Sequence, residues 1–257
     1  MRASALRKLA AAAVALAVVL PGTAQPAQAD PDGPNPSLIE FVDLALDLAG
    51  RLGSGGGLSP EAIAGMTQDI INALNNAESA VIAHVDSIAA ADLRGAARHH
   101  LLEFDDINNF EEETLEDWAQ SVSGAASLAN EYLNTVSDRR AVDDIGYAAI
   151  TLYGLALVAR AKAGFGTTRL RQDYQTALLK IINRLAPSCR YHYPEPNAVP
   201  MIRAYTCEVY GAHTATQLEQ YHLGVWQLGP IDPAAVEAAS YANTSRRVAV
   251  EVLSTLP

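Results

Sequence analysis

Between Ile145 and Ala159 lie 15 residues without a single charge, apolar on every face a helix could present. As a helix this stretch is about 22 Å long at 1.5 Å per residue, short of the ~30 Å hydrocarbon core of a bilayer. A helix that is apolar all round and too short to span a membrane belongs at the centre of a protein. The rest of the chain must then supply amphipathic helices to surround it.

The periodicity provides them. Leu38, Phe41, Val42, Ala45, Leu48, Ala49 and Leu52 recur at helical spacing, with Ser37 as N-cap. Gly53-Ser-Gly-Gly-Gly57 ends that helix as a hinge. Ser59-Pro60-Glu61 opens the next, with a capping hydroxyl, proline at the first helical position and an acid near the positive dipole end. Ile63, Ile70, Leu74, Ala77, Val81, Val85 and Ile88 form its stripe, which extends to Ile107 with a kink or break at Gly95. Asn108-Asn109 reads as a turn. Glu111 to Val136 is a second long helix with a seam at Leu115, Trp118, Val122, Ala125, Ala129, Tyr132 and Val136, and with its acids in the first turns. After the central helix, Gly164-Phe-Gly166 is a stop. Thr167 or Thr168 then caps an amphipathic helix carrying Leu170, Tyr174, Leu178, Ile181 and Leu185, limited by Pro187.

The pattern changes beyond Pro187. Tyr191-His-Tyr193 and Met201 to Tyr210 are β-prone and flank a proline-rich loop. This predicts a small hairpin or extended lobe, at about 187–229, stapled by Cys189 and Cys207. A short helix is expected over Ala215 to Leu223, and Asp232-Pro233 starts a last helix running close to the C-terminus. The fold class is therefore mainly α: a multi-helix bundle around a central apolar helix, with a disulfide-stapled lobe, forming one domain over residues 37–257.

The first 29 residues are set apart from that domain. Arg2, Arg7 and Lys8 precede an apolar run from Leu9 to Leu20, and Ala27-Gln-Ala29 stands just before Asp30. This is the layout of a secretory signal cut between Ala29 and Asp30, followed by a flexible N-terminus at 30–36. Removing it changes 18 basic against 29 acidic residues into 15 against 29, a net charge of −14. Such acidity disfavours nucleic acid and anionic lipid. No cysteine lies near Ala29 and the leader has no twin arginine, so a released, secreted protein is expected, in a compartment where the two cysteines oxidise. The Ala- and Val-rich leader resembles those of secreted actinobacterial proteins, which implies a bacterial source.

Motifs for chemistry are sparse. Gly-x-Ser-x-Gly, Ser-x-x-Lys and His-Glu-x-x-His are missing from the sequence. A di-metal bundle site needs two Glu-x-x-His pairs; one exists, Glu219 with His222. His99, His100, Glu103, Asp105 and Asp106 cluster in sequence, and helical spacing puts His99 or His100 beside Glu103. A solvated polar face with weak ion pairs is the preferred reading over a metal site. Asn243-Thr-Ser245 matches a glycosylation acceptor inside the expected last helix and is read as incidental. No catalytic, cofactor-binding or metal-binding residue is assigned, and no cofactor is expected.

Tyr191, His192, Tyr193, Tyr205, Tyr210, Tyr221, His222 and Trp226 gather in the C-terminal third. They serve first as the core of a lobe poor in aliphatics, and second as contact residues on a rigid loop. The function expected is a non-enzymatic extracellular binding or interaction protein with an extracellular partner. Two alternatives stand behind it. One is a membrane-active bundle, similar in pattern to pore-forming toxin domains, that releases its apolar helix. The other is a hydrolase using an unrecognised acid pair.

Overall fold

The computed structural model describes residues 34–54, 59–82, 88–195, 199–211 and 213–256. The leader, its cleavage point at Ala29 and Asp30, and most of the glycine hinge lie outside them. Helix α1 spans Pro34–Gly53, so it takes in residues 34–36 of the stretch expected to be flexible. Then come α2 (Pro60–Ile82), α3 (Ile88–Asp105), α4 (Glu112–Thr135), α5 (Arg139–Lys162) and α6 (Thr168–Arg184). Four strands follow, β1 (Ser188–His192), β2 (Met201–Glu208), β3 (Thr214–His222) and β4 (Val225–Leu228), and the described chain closes with α7 (Pro233–Ser240) and α8 (Ser245–Thr255).

The uncharged stretch is the central helix α5. From Ile145 to Ala159 every residue is buried, because α1, α3, α4, α6 and α8 all pack against it. Asp138 caps its start, accepting from the Arg140 amide at 3.1 Å, and Arg160 and Lys162 complement the negative dipole end. Two contacts let neighbours approach closely. The Phe41 ring of α1 lies over Gly154, and the Ser245 side chain of α8 lies over Gly146, each nearer than a Cβ would allow.

The expected caps of α2 and α7 hold. Ser59 Oγ accepts from the Ala62 amide at 3.2 Å, and Asp232 accepts from the amides of Ala234 and Ala235 at 3.0 and 3.1 Å. The orphan carbonyls at the end of α4 are taken by Arg184 of α6, which donates to Leu133 and Val136.

Three expectations about elements are corrected. Gly95 lies inside α3, exposed and with open space around it, so it is no break. The segment expected as a helix over Ala215 to Leu223 is strand β3, paired along its length with β2 from Thr214↔Glu208 to Tyr221↔Met201. The single last helix is two, because Tyr241 to Thr244 form a turn.

The strands form one antiparallel meander, β1-β2-β3-β4. Cys189 and Cys207 are direct cross-strand partners and form a disulfide. Helix α7 covers the sheet face that carries them, making a small second core of Cys207, Ala215 and Val236. The sheet thus stands as an arm rooted at the β2–β3 turn, where Val209 enters the main core and Tyr210 packs against it.

Candidate functional site

The arm divides its aromatic residues between two roles. Tyr205 packs on the small disulfide core and Tyr210 on the bundle, which is the packing role expected. Tyr191, Tyr193 and Tyr221 are exposed. Arg203 stands between the tyrosines and an acid: its guanidinium lies 4.7 Å from the Tyr191 ring centre and forms an ion pair with Glu219. Glu219 is buried, and its second oxygen accepts from the Ile231 amide. The Glu219–His222 pair expected on a helix is therefore on a strand, with its carboxylate committed to Arg203; the His222 side chain lies outside what is described, as does that of Trp226.

The end of the arm away from the bundle is apolar. Among the described residues, eight of the twelve exposed large apolar side chains fall between Tyr191 and Leu228. No Asp, Glu, Lys or Arg occurs from Gln220 to Ile231, although the chain as a whole is strongly acidic. Leu223 at the apex of the β3–β4 hairpin is 88 % exposed, and Val199 beside the start of β2 is 86 % exposed. Met201 pairs with Tyr221 across the sheet, and the backbone of His222 pairs with that of Val225, so Met201, Tyr221, Leu223 and Val225 belong to one tip.

Leu223 also has φ +51°, next to Gly224 at +82°. A two-residue hairpin turn of this kind favours Asn-Gly, because both central residues take positive φ. Leucine there costs ~1 kcal/mol of backbone strain, and it gains nothing from burial.

The other candidate groups have structural roles. His100 is buried in the core against Trp118, with ring centres 6.3 Å apart. Desolvation, helped by the charge of neighbouring His99, lowers its pKa to about 4. His99 is exposed on another side of α3, and among the described residues no cluster of three His, Cys, Asp or Glu could hold a metal. Asp143 is buried on α5 and accepts from Tyr210 Oη, the Ser245 amide and Ser245 Oγ at 2.6, 2.6 and 2.7 Å. Burial raises its pKa, against the lowering effect of those bonds. This carboxylate caps α8 from outside. The Asn243-Thr-Ser245 motif falls at this turn, with Thr244 and Ser245 buried.

Sequence reasoning does not find a groove between α4 and α6. It has a volume of about 620 Å³ and is bordered by Ser123, Ser127, Leu128, Asn130, Glu131, Arg160, Arg169, Leu170 and Asp173. Its floor is a closed polar network. Asp173 accepts from Tyr153 Oη, from Asn130 Nδ2 at 2.7 Å and from Ser127 Oγ at 3.5 Å. Lys180 Nζ donates to Asn130 Oδ1 at 2.6 Å, and Tyr153 stacks on Tyr174 at 4.8 Å. Residues 43 and 46 positions apart meet here, a closeness that no local spacing announces.

No family model matches this chain, and no curated protein or solved structure matches it either.

Proposed function

We propose that this chain is an exported bacterial protein, non-enzymatic, that binds an extracellular protein partner through the apolar tip of its disulfide arm. The observation carrying this reading is Leu223: an almost fully exposed leucine held at positive φ. Strain and exposure both cost folding free energy, and such residues concentrate where a surface is used. The uncharged neighbourhood from Gln220 to Ile231 supports an apolar contact, and exposed tyrosines beside it are favoured contact residues. The leader pattern supports export, and the Cys189–Cys207 disulfide is compatible with an extracellular location.

Leu223→Asn tests this without harming the fold, since asparagine suits the turn better than leucine. Tagged protein beginning at Asp30 is used to recover partners from culture supernatant and from intact cells. Wild type is expected to retain a partner that the L223N variant loses while melting at the same temperature or above. Equal recovery by both proteins, or none by either, rejects the reading.

A further inference from the structure

The α4–α6 groove is built from side chains that the arm does not use. Its floor is rigid because its polar groups satisfy one another: Asn130 is buried and held from both sides by Asp173 and Lys180. The charges above the floor are not so engaged.

Arg160, at the end of α5, is fixed by its Nε, which donates to the Gly166 carbonyl at 3.0 Å, and by the Phe165 ring, 5.3 Å from its guanidinium. Among the described residues nothing takes its two terminal nitrogens. Arg169, in the first turn of α6, is exposed and has no partner among them. The same turn contains no acid, and its N-cap Thr167 makes no side-chain cap bond. On α4, Glu131 also borders the groove; it uses one oxygen to accept from Asn134, and among the described residues nothing donates to the other. The groove is thus bordered by two guanidiniums, from α5 and α6, and by a carboxylate and the Ser127 hydroxyl from α4.

We infer that this groove binds a small zwitterion of the amino-acid type, its carboxylate against Arg160 and Arg169 and its ammonium against Glu131. Guanidiniums recognise carboxylates bidentately. The groups bordering the groove carry two positive and two negative charges, which matches a ligand of net charge zero. The volume, about 620 Å³, is within the range of small-molecule sites and leaves room for a side chain beside Leu128.

The test is calorimetric titration of the intact protein with L-alanine, L-glutamine and L-alanyl-L-alanine. N-acetyl-L-alanine, which lacks the ammonium, and L-alaninamide, which lacks the carboxylate, serve as controls. At least one of the three zwitterions is expected to bind, and each control to bind about tenfold more weakly or worse. Arg169→Ala should weaken the zwitterion about tenfold. Glu131→Gln should weaken the zwitterion and leave the acetylated control unchanged. Both positions are exposed, so both variants should melt with the wild type. Binding of the dipeptide alone supports the same chemistry at wider charge spacing. No heat from any zwitterion, or an acetylated control that binds equally well, overturns the proposal.

Discussion

Tyr210 donates its hydroxyl to Asp143 Oδ2 at 2.6 Å, joining the root of the disulfide arm to the buried face of α5. The other carboxylate oxygen accepts from the backbone and side chain of Ser245, the first residue of α8. One buried acid therefore fixes three parts of the chain: the central helix, the arm and the start of α8. It supplies a helix cap from a residue 102 positions away.

Asp143→Ala should destabilise by ~3–4 kcal/mol, because two buried donors of Ser245 and the half-buried Tyr210 hydroxyl lose their acceptor at once. The pH dependence has a definite sign. The native carboxyl has a raised pKa, so just above the ordinary carboxylate range the folded state holds more protons than the unfolded state. This contribution to stability falls as pH rises through that window and is complete below it. Urea midpoints of wild type and the D143N variant, compared from about pH 4 to about pH 7, should show the decline in wild type relative to the variant.

His100 behaves in the opposite direction. Its pKa is lowered to about 4 from the ordinary 6.5, so the neutral ring is favoured in the fold. Full stability is present above the unfolded value and is lost as pH falls toward the folded one. The loss should amount to ~2 kcal/mol after allowing for screening by solvent. His100→Phe should abolish it, measured as the difference in urea midpoint between about pH 7 and about pH 4.5.

Three glycine-to-alanine changes should separate by their surroundings. At Gly146 an added Cβ meets Ser245 Oγ at 2.2 Å, and at Gly154 it meets the Phe41 ring at 2.6 Å. Each should cost ~2–3 kcal/mol through overpacking, with G146A the worse because it also displaces the Ser245–Asp143 bonds. At Gly95 nothing lies within 4 Å, and alanine should stabilise by ~0.5–1 kcal/mol through helix propensity. Thermal melts of the three variants give the ranking.

The apolar length of α5 should not make the protein membrane-active. Its most apolar window is 94 % buried, and releasing it would expose that surface and break the Asp143 bonds together. Dye-loaded liposomes, zwitterionic or anionic, should show no leakage from about pH 4.5 to about pH 7.5. Leakage at the acid end would revive the toxin-like alternative.

The fold was legible where one physical signal dominated. An uncharged run can only be central, and the seams of α1, α4 and α6 follow from helical spacing. The disulfide follows from an even number of cysteines in a chain whose leader reads as an export signal. Strand β3 reads as a helix because Gln217, Leu218, Glu219 and Gln220 are good helix formers. Pairing with β2 and burial of Ala215 under α7 override that propensity. The turn at Tyr241 to Thr244 leaves no local signal, because its compensation, Asp143, is distant in sequence. The candidate sites follow the same division. Aromatic enrichment pointed to the arm, but the exposure of Leu223 depends on knowing that Leu-Gly closes a hairpin. The α4–α6 groove depends wholly on helix packing, so Arg160, Arg169 and Glu131 carried no signal.

Because α5 needs covering on every side, the order in which its cover is made matters. Helices α1, α3 and α4 precede it along the chain, whereas α6 and α8 follow it. Thr255 of α8 donates to Asp43 of α1 at 3.2 Å, 212 positions away. The cover of α5 is therefore complete only once α8 is made, and α8 closes it by packing on α1, α5 and α6. A chain that lacks α8 leaves one side of the central helix uncovered.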